Sequence, residues 1–531
     1  MPTISAAKGA TTAMPKWVYN VSYQDRQIAR DANFRWDRER KAWWTCDPAI
    51  IRGLPQDLDD SAKDLLAAID SEVHASRNAS PEDLAFDVPL PSHAPGQLYD
   101  YQRAGIAYAS RRERAIFGDE MGLGKTPQAI GCLNVWGITR GVLIVCPASL
   151  KLNWERELRR WYTGSTSIRI VSKSKDKIDE TADVVIVNYD LIHRKGVKEQ
   201  LDRRWDAVIF DEAHYLKTPD SKRTKTALGD NGQGGIVSRA GRVLLLTGTP
   251  IPNRPIEAFP LLRAVARPVF GSNKHAFAVR YCGAWRGKWG WDYTGATNLA
   301  ELQEKMRQTC LVRRLKADVL TELPPKTLQL ISLEANAHAR RLVSAEKKAI
   351  ASLEKEGKAI DWQAMGGLEL GEIATLRRET AEAKVPAITE YVEGILEEQE
   401  QVVVFAHHRD VLTALEDSLA EYGVVTITGG TPQAQRQQAV DDFQAGKARV
   451  FLGNIVAAGV GITLIAASHI VMAELDWVPG NVQQAIDRCH RIGQESNVTA
   501  HLLVYRGTLE ENLAEALCEK ADVQNRALDK N

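Results

Sequence analysis

At roughly 150 residues per domain, a chain of 531 residues suggests about three or four folded units. Hydrophobic residues make up 44% of it, ample for sizeable cores, and 68 basic against 68 acidic side chains leave a formal net charge of zero. That balance excludes a small, strongly basic nucleic-acid-binding domain, so any nucleic-acid surface must be a local patch. The seven cysteines are odd in number and contain no C-x-x-C pair, which argues for reduced thiols and against a disulfide framework or a zinc site. With no apolar leader in the first residues and no run long enough to span a bilayer, the chain reads as soluble and intracellular, cytoplasmic or nuclear.

Residues 1–60 read as a small aromatic and basic module, with Trp17, Tyr19, Tyr23, Phe34, Trp36, Trp43 and Trp44 among many charges. Its aromatics either stack unpaired bases or form the module's own core. Residues 61–95 read as a helix and a Pro/Ser-rich linker. Over 96–255, short β-branched runs alternate with helical stretches: Ala115–Phe117, Val142–Cys146, Ile168–Val171, Val184–Val187, Ala207–Phe210 and Val243–Leu246. Uninterrupted apolar runs of this length are strands buried on both faces of a parallel sheet. A charge run at 151–177 is either a nucleic-acid patch or a solvated face. Residues 256–383 read as a helical insertion and linker, with a long charged helix near 335–356. The Gly/Trp-rich stretch 284–298 interrupts it; Trp285, Trp289 and Trp291 there either stack on DNA or pack a loop between helices. A second α/β lobe follows over 384–507, with strands at Val402–Phe405, Val424–Ile427, Val450–Leu452, Ile470–Met472 and Leu502–Tyr505. A final helix over 508–531 starts at a capping box of Thr508 and Glu511.

Chemistry concentrates at strand ends. Phe117-Gly118-Asp119-Glu120-Met121-Gly122-Leu123-Gly124-Lys125-Thr126 lies between a strand and a helix, as a phosphate loop requires. Its glycines let backbone N–H groups approach phosphates, Lys125 would reach the β and γ phosphates of ATP, and the Thr126 hydroxyl would bind Mg²⁺. Asp119 stands where the strict motif has its first glycine. Asp211-Glu212-Ala213-His214 follows a buried strand, so Asp211 would hold Mg²⁺ and Glu212 would polarise the attacking water. Thr247-Gly248-Thr249 ends the next strand and could couple the γ-phosphate to a second lobe. Farther on, Arg488 and Arg491 are three apart, which puts them on one face of a helix that also carries Gln484 and Asp487, as arginine fingers would be. The neighbours His407 and His408 lack a third ligand, so they are not read as a metal site.

Taken together and in this order, these motifs resemble the Swi/Snf-type branch of superfamily-2 helicase-like ATPases over roughly 97–525. The resemblance implies two RecA-like lobes of parallel α/β sheet. It makes Asp119-Glu120-Met121-Gly122-Leu123-Gly124-Lys125-Thr126 the family's own form of the nucleotide loop, gives Gln102 a part in seating adenine, and places Gly459 and Gly461 in a loop of the second lobe near the nucleotide. A narrower likeness is to the annealing-helicase (HepA-related, HARP) subfamily. Its marks are Arg280–Ala284, Trp289–Tyr293, Leu311–Leu320, Val404–His408, Ala473–Gly480 and a short HARP-type pattern of Asp37, Lys41 and Trp43. The implied activity is an ATP-dependent translocase, with ATP and Mg²⁺, on duplex, forked or junction DNA, RNA being the lesser alternative. The implied protein is a monomer with single-strand-binding or repair proteins as candidate partners. A strand-separating helicase, a remodeller that displaces protein from DNA, and an inactive ATP-binding scaffold are the competing readings.

Overall fold

The structure, a computed structural model, describes residues 2–12, 15–22, 24–78, 86–164, 167–179, 181–230, 234–251, 254–287, 290–355, 371–459, 461–476, 478–508, 510–511 and 513–514. Tyr23, Trp289, Val460, Trp477, Cys518 and the final helix expected beyond 514 lie outside them. Two compact units divide between Val319 and Leu320.

The first unit opens with strands β1 (Thr3–Ala6), β2 (Trp17–Asn20), β3 (Arg35–Asp37) and β4 (Ala42–Thr45), antiparallel in the order β1-β2-β4-β3. Period-two alternation sends Trp17, Tyr19 and Trp43 inward, where Phe34 joins them. These four aromatics are therefore the module's core. Trp36 remains 47% exposed, and Trp44 carries Lys16 and Arg35 over its ring. The helix Asp60–Asn78 fastens the module to the rest of the unit: its Glu72 pairs with buried Arg112 at 3.0 Å, while Asp47 pairs with Lys305 at 2.7 Å.

A seven-stranded parallel sheet forms the body of this unit. Its strands are β5 (Arg114–Phe117), β6 (Val142–Cys146), β7 (Ile168–Ile170), β8 (Val184–Asn188), β9 (Trp205–Asp211) and β10 (Ala240–Leu246). After an antiparallel hairpin of β11 (Trp285–Gly287) and β12 (Gly290–Asp292), β13 (Leu311–Val312) completes it. The spatial order is β13-β5-β10-β9-β6-β8-β7. Every residue of β6 and β8 is buried, as expected of strands covered by helices on both faces.

The second unit holds six parallel strands: β14 (Lys326–Ser332), β15 (Val402–Ala406), β16 (Val424–Ile427), β17 (Val450–Asn454), β18 (His469–Met472) and β19 (Val498–Val504). Their order is β14-β19-β18-β15-β17-β16. Lys384, on the helix Gly371–Glu398, is buried at the carboxyl ends of β18 and β19, where its amine bonds the Ala473 and Leu503 carbonyls and pairs with Glu510.

The stretch read as a helical insertion and linker, 256–383, is less helical than that reading. It holds the helices Phe259–Phe270, Lys274–Tyr281, Leu299–Thr309 and Ala337–Lys355, but also the hairpin, β13 and β14. Two residues of β13 give no periodicity, and β14 is an edge strand with Thr327–Leu330 exposed, so neither offers an apolar run to detect. Nor is there a capping box at 508: the Thr508 hydroxyl donates to the Tyr505 carbonyl, and Glu511 accepts from the Gly507 N–H. Among the described residues no helix is long and apolar enough to cross a membrane.

Candidate active site

Strand order alone assembles the first half of the site. Because β5, β10 and β9 are neighbours and parallel, the loops that leave their carboxyl ends lie side by side. These are the loop 118–124, Thr247–Pro250 and Asp211–His214.

The first loop turns into the helix Lys125–Val135 through Gly122 and Gly124, at φ +86° and +72°. A Cβ at Gly124 would collide with the Gln102 amide, so this position takes glycine on two counts. Gln102 is buried against the loop, donating to the Leu123 carbonyl at 3.2 Å and accepting from the Tyr99 N–H at 3.1 Å. Lys125 Nζ donates to the carbonyls of Asp119 (2.8 Å) and Glu120 (3.2 Å). Burial lowers its pKa, against the pull of Glu212, Asp119 and Asp211. Thr126 occupies the first turn of the helix. Met121 lies against Gly248, and Lys125 Nζ is 3.6 Å from where a Gly248 Cβ would stand, so this loop and Thr247–Thr249 are in contact.

Asp119 is fully buried, and its carboxylate is taken up by protein partners. It accepts from Arg314 Nε at 3.0 Å, Arg314 Nη2 at 2.6 Å and Gln128 Nε2 at 2.9 Å. Glu120 accepts from the Lys316 N–H at 2.7 Å. Arg313 donates to the Gly118 and Gly248 carbonyls at 2.6 and 3.0 Å. The segment 311–316 thus braces two of the three loops. In the sequence Arg313 and Arg314 stand out only as part of a subfamily mark, and two cations directly after the short apolar pair Leu311-Val312 are the signal that points to them.

At the end of β9, Asp211 Oδ2 accepts from the Trp154 indole at 2.8 Å and Oδ1 from the Glu212 N–H at 2.9 Å. Each oxygen keeps a lone pair. Burial and then the Glu212 charge push the Asp211 carboxyl up. Glu212 has a left-handed backbone, φ 52° and ψ 50°, unusual for a residue with a Cβ. Its carboxylate lies 3.2 Å from His214 Nδ1, which is also 3.3 Å from the Thr247 hydroxyl. His214 therefore bridges the β9 and β10 loops, and Thr247 caps the Thr249 N–H at 3.1 Å.

In the second unit, Gly459 and Gly461 flank the undescribed Val460 after the helix Ile455–Ala458, with Gly461 at φ +82°. Arg488 and Arg491 do not share a helix. The helix Pro479–Ile486 ends before them, and they sit in successive turns. Both guanidiniums nevertheless converge on the Ile462 carbonyl, at 3.4 and 3.2 Å. Arg488 Nε also bonds the carbonyl of Gln484 at 3.0 Å, while Asp487 is buried on Lys326 Nζ at 3.0 Å, tying these turns to β14. His407 and His408 rest on the buried carboxylates of Asp476 and Glu474.

Two domain models match the chain, and it is similar to known proteins over most of its length. The SNF2-related domain model matches residues 101–383, and the helicase conserved C-terminal domain model matches 383–493. A SWI/SNF-related matrix-associated actin-dependent regulator of chromatin subfamily A-like protein 1 from Bos taurus is 35% identical over 489 residues, 90% of this chain and 50% of that protein. The DNA annealing helicase and endonuclease ZRANB3 of Homo sapiens is 35% identical over 456 residues, 83% of this chain and 41% of that protein. The chain thus spans half or less of the length of these relatives. A solved Sulfolobus solfataricus SWI2/SNF2 ATPase core in complex with dsDNA aligns at 20% identity and a TM-score of 0.40, over 84% of this chain and 100% of that one. More than half of its length lies within the first domain model, and the chain belongs to the SNF2-related family.

Proposed function

We propose that this chain is an ATP-driven motor that translocates on duplex or branched DNA and rewinds strands. The observation that carries the reading is the meeting of the 118–124, 211–214 and 247–250 loops at the ends of three adjoining strands, with Lys125 amid the carboxylates of Asp211 and Glu212.

The geometry suits ATP. The glycine turns of the loop lead into the N-terminus of the helix Lys125–Val135, where phosphates would be favoured, and Lys125 would exchange its loop carbonyls for β and γ oxygens. A divalent cation also fits, because burial and Glu212 make the Asp211 charge costly and each of its oxygens has a free lone pair. Thr126 and Asp211 would hold Mg²⁺, which supplies charge neutralisation on the transferring phosphoryl group. Glu212, held by His214, orients the attacking water and accepts its proton. Through His214 and Thr247, a change at Glu212 reaches the β10 loop, and Arg313 links that loop to Gly118. Arg488 and Arg491 act as arginine fingers from the second unit, on transition-state charge.

Support for DNA as the track comes from the family and from its relatives, one of them named a DNA annealing helicase. On the face of the first module away from its aromatic core, Trp44 with Arg35 and Lys16 over its ring gives a small aromatic and basic surface suited to a junction. The deciding experiment compares ATPase rates with no nucleic acid, single strand, plain duplex, forked DNA and RNA. Strongest stimulation by duplex or forked DNA is expected; equal or greater stimulation by RNA or single strands overturns the reading.

A further inference from the structure

The β11–β12 hairpin belongs to no part of the mechanism above. Among the described residues Trp285 is the most exposed large hydrophobic side chain, at 60%, and Trp291 is 49% exposed. A packed loop between helices would have buried both. In the antiparallel register Trp285 stands opposite Asp292 and Arg286 opposite Trp291, so the two indoles project from opposite faces of the ribbon. A Cβ at Gly287 would lie 3.3 Å from the Trp285 ring, so that indole lies over glycine backbone and keeps its outer face open. Trp291 meets the His275 ring edge-on at 4.3 Å.

The hairpin is firmly rooted. Gly283 N–H donates to the Thr297 hydroxyl at 3.0 Å, the hydroxyl donates to the Arg280 carbonyl at 2.8 Å, and Asn298 adds a bond of 2.8 Å to the same carbonyl. Exposed Arg286 on the ribbon and Lys274 at its base outnumber the carboxylate of Asp292, which stands opposite Trp285. A protein-docking patch gathers its apolar atoms on one face. Here they lie on two faces, separated only by backbone, with Arg286 beside Trp291 and a net positive charge around the ribbon, an arrangement that suits two aromatic ligands arriving from opposite sides.

We propose that this hairpin is a junction pin: where two DNA strands part, it stands between them and stacks one unpaired base on Trp285 and one on Trp291. The proposal rests on the DNA-motor reading.

The test uses the full chain as wild type, Trp285→Ala, Trp291→Ala, and the Trp285→Phe and Trp291→Phe variants. The probes are a plain duplex and a fork carrying 2-aminopurine at the first unpaired position of either strand. Base–aromatic stacking corresponds to a loss of about tenfold in fork affinity for each alanine variant. Phenylalanine should restore most of it, and plain-duplex affinity and duplex-stimulated ATPase should stay at wild-type level. Each alanine variant should also relieve 2-aminopurine quenching on one strand only. Wild-type fork affinity in both alanine variants, or equal losses on fork and duplex, overturns the pin. A wild-type protein that no DNA stimulates overturns the motor reading instead.

Discussion

Asp119 occupies the place of a glycine because it serves the loop's anchorage. With Arg314 it forms a fully buried ion pair, each partner also bonded to Gln128. Arg314→Met would strand the carboxylate in the interior and should cost about 3 to 5 kcal/mol of first-unit stability, read from denaturant unfolding. Lys125→Ala and Glu212→Gln act differently: both should abolish hydrolysis, while Glu212→Gln still binds ATP, because the phosphate loop and Asp211 remain. Single-turnover hydrolysis beside nucleotide-binding titrations separates the two, and near-normal turnover in either variant rejects the assignment. For Arg488→Ala and Arg491→Ala, turnover should fall by about 10³ or more with ATP affinity little changed, the signature of groups that act on transition-state charge. Ordinary binding groups would show the reverse.

The elements differ in how far their sequence announced them. The central strands were legible because β5, β6, β8, β9, β15 and β17 are covered on both faces and so appear as unbroken apolar runs. By contrast β13 and β14 were not, being short or at an edge, and their partners lie far away in sequence. Motif residues such as Lys125 and Asp211 were visible from spacing, whereas the Arg313 and Arg314 brace depends on contacts across almost 200 positions that no local pattern encodes. The aromatic module shows the same limit: alternation marks strands, but which of its rings are core and which remain outside emerged only from the sheet. Its removal is best made before Asp60, since a cut near residue 92 would also take Glu72 from buried Arg112. A chain starting at residue 59 should keep duplex-stimulated ATPase activity and lose strand annealing and part of its fork preference. Unchanged annealing would show that the module is structural or serves a protein partner.

At the scale of the whole molecule, a buried histidine makes the second unit sensitive to mild acid. His501 is pushed down to about 4 from 6.5 by burial and by neighbouring His469. As pH falls below 6.5 the unfolded chain takes up this proton before the folded one does, so stability declines from there to about 4. Burial pushes Glu474 up, but the hydrogen bond and charge of His408 outweigh it and hold the carboxyl at about 2 instead of 4.5. Its contribution is complete above 4.5 and is lost as pH falls from 4.5 to 2. Calorimetry should show the second unit's melting temperature falling between pH 6.5 and 4, with a shallower slope in His501→Gln.

The Asp119–Arg314 pair also sets a clock on the newborn chain. Its partners are 195 residues apart, and at a synthesis rate of about 5–20 residues per second the carboxylate waits roughly 10 to 40 s for its guanidinium. Until then β5 also lacks its outer neighbour β13, and the nascent first unit has an open sheet edge beside an uncompensated charge. The phosphate loop can lock only after residues 311–316 have left the ribosome. A ribosome-bound chain stalled with residue 305 exposed should be cut readily by protease around the loop, and one stalled with residue 325 exposed should resist. Holdase chaperones would find their binding window between those two lengths.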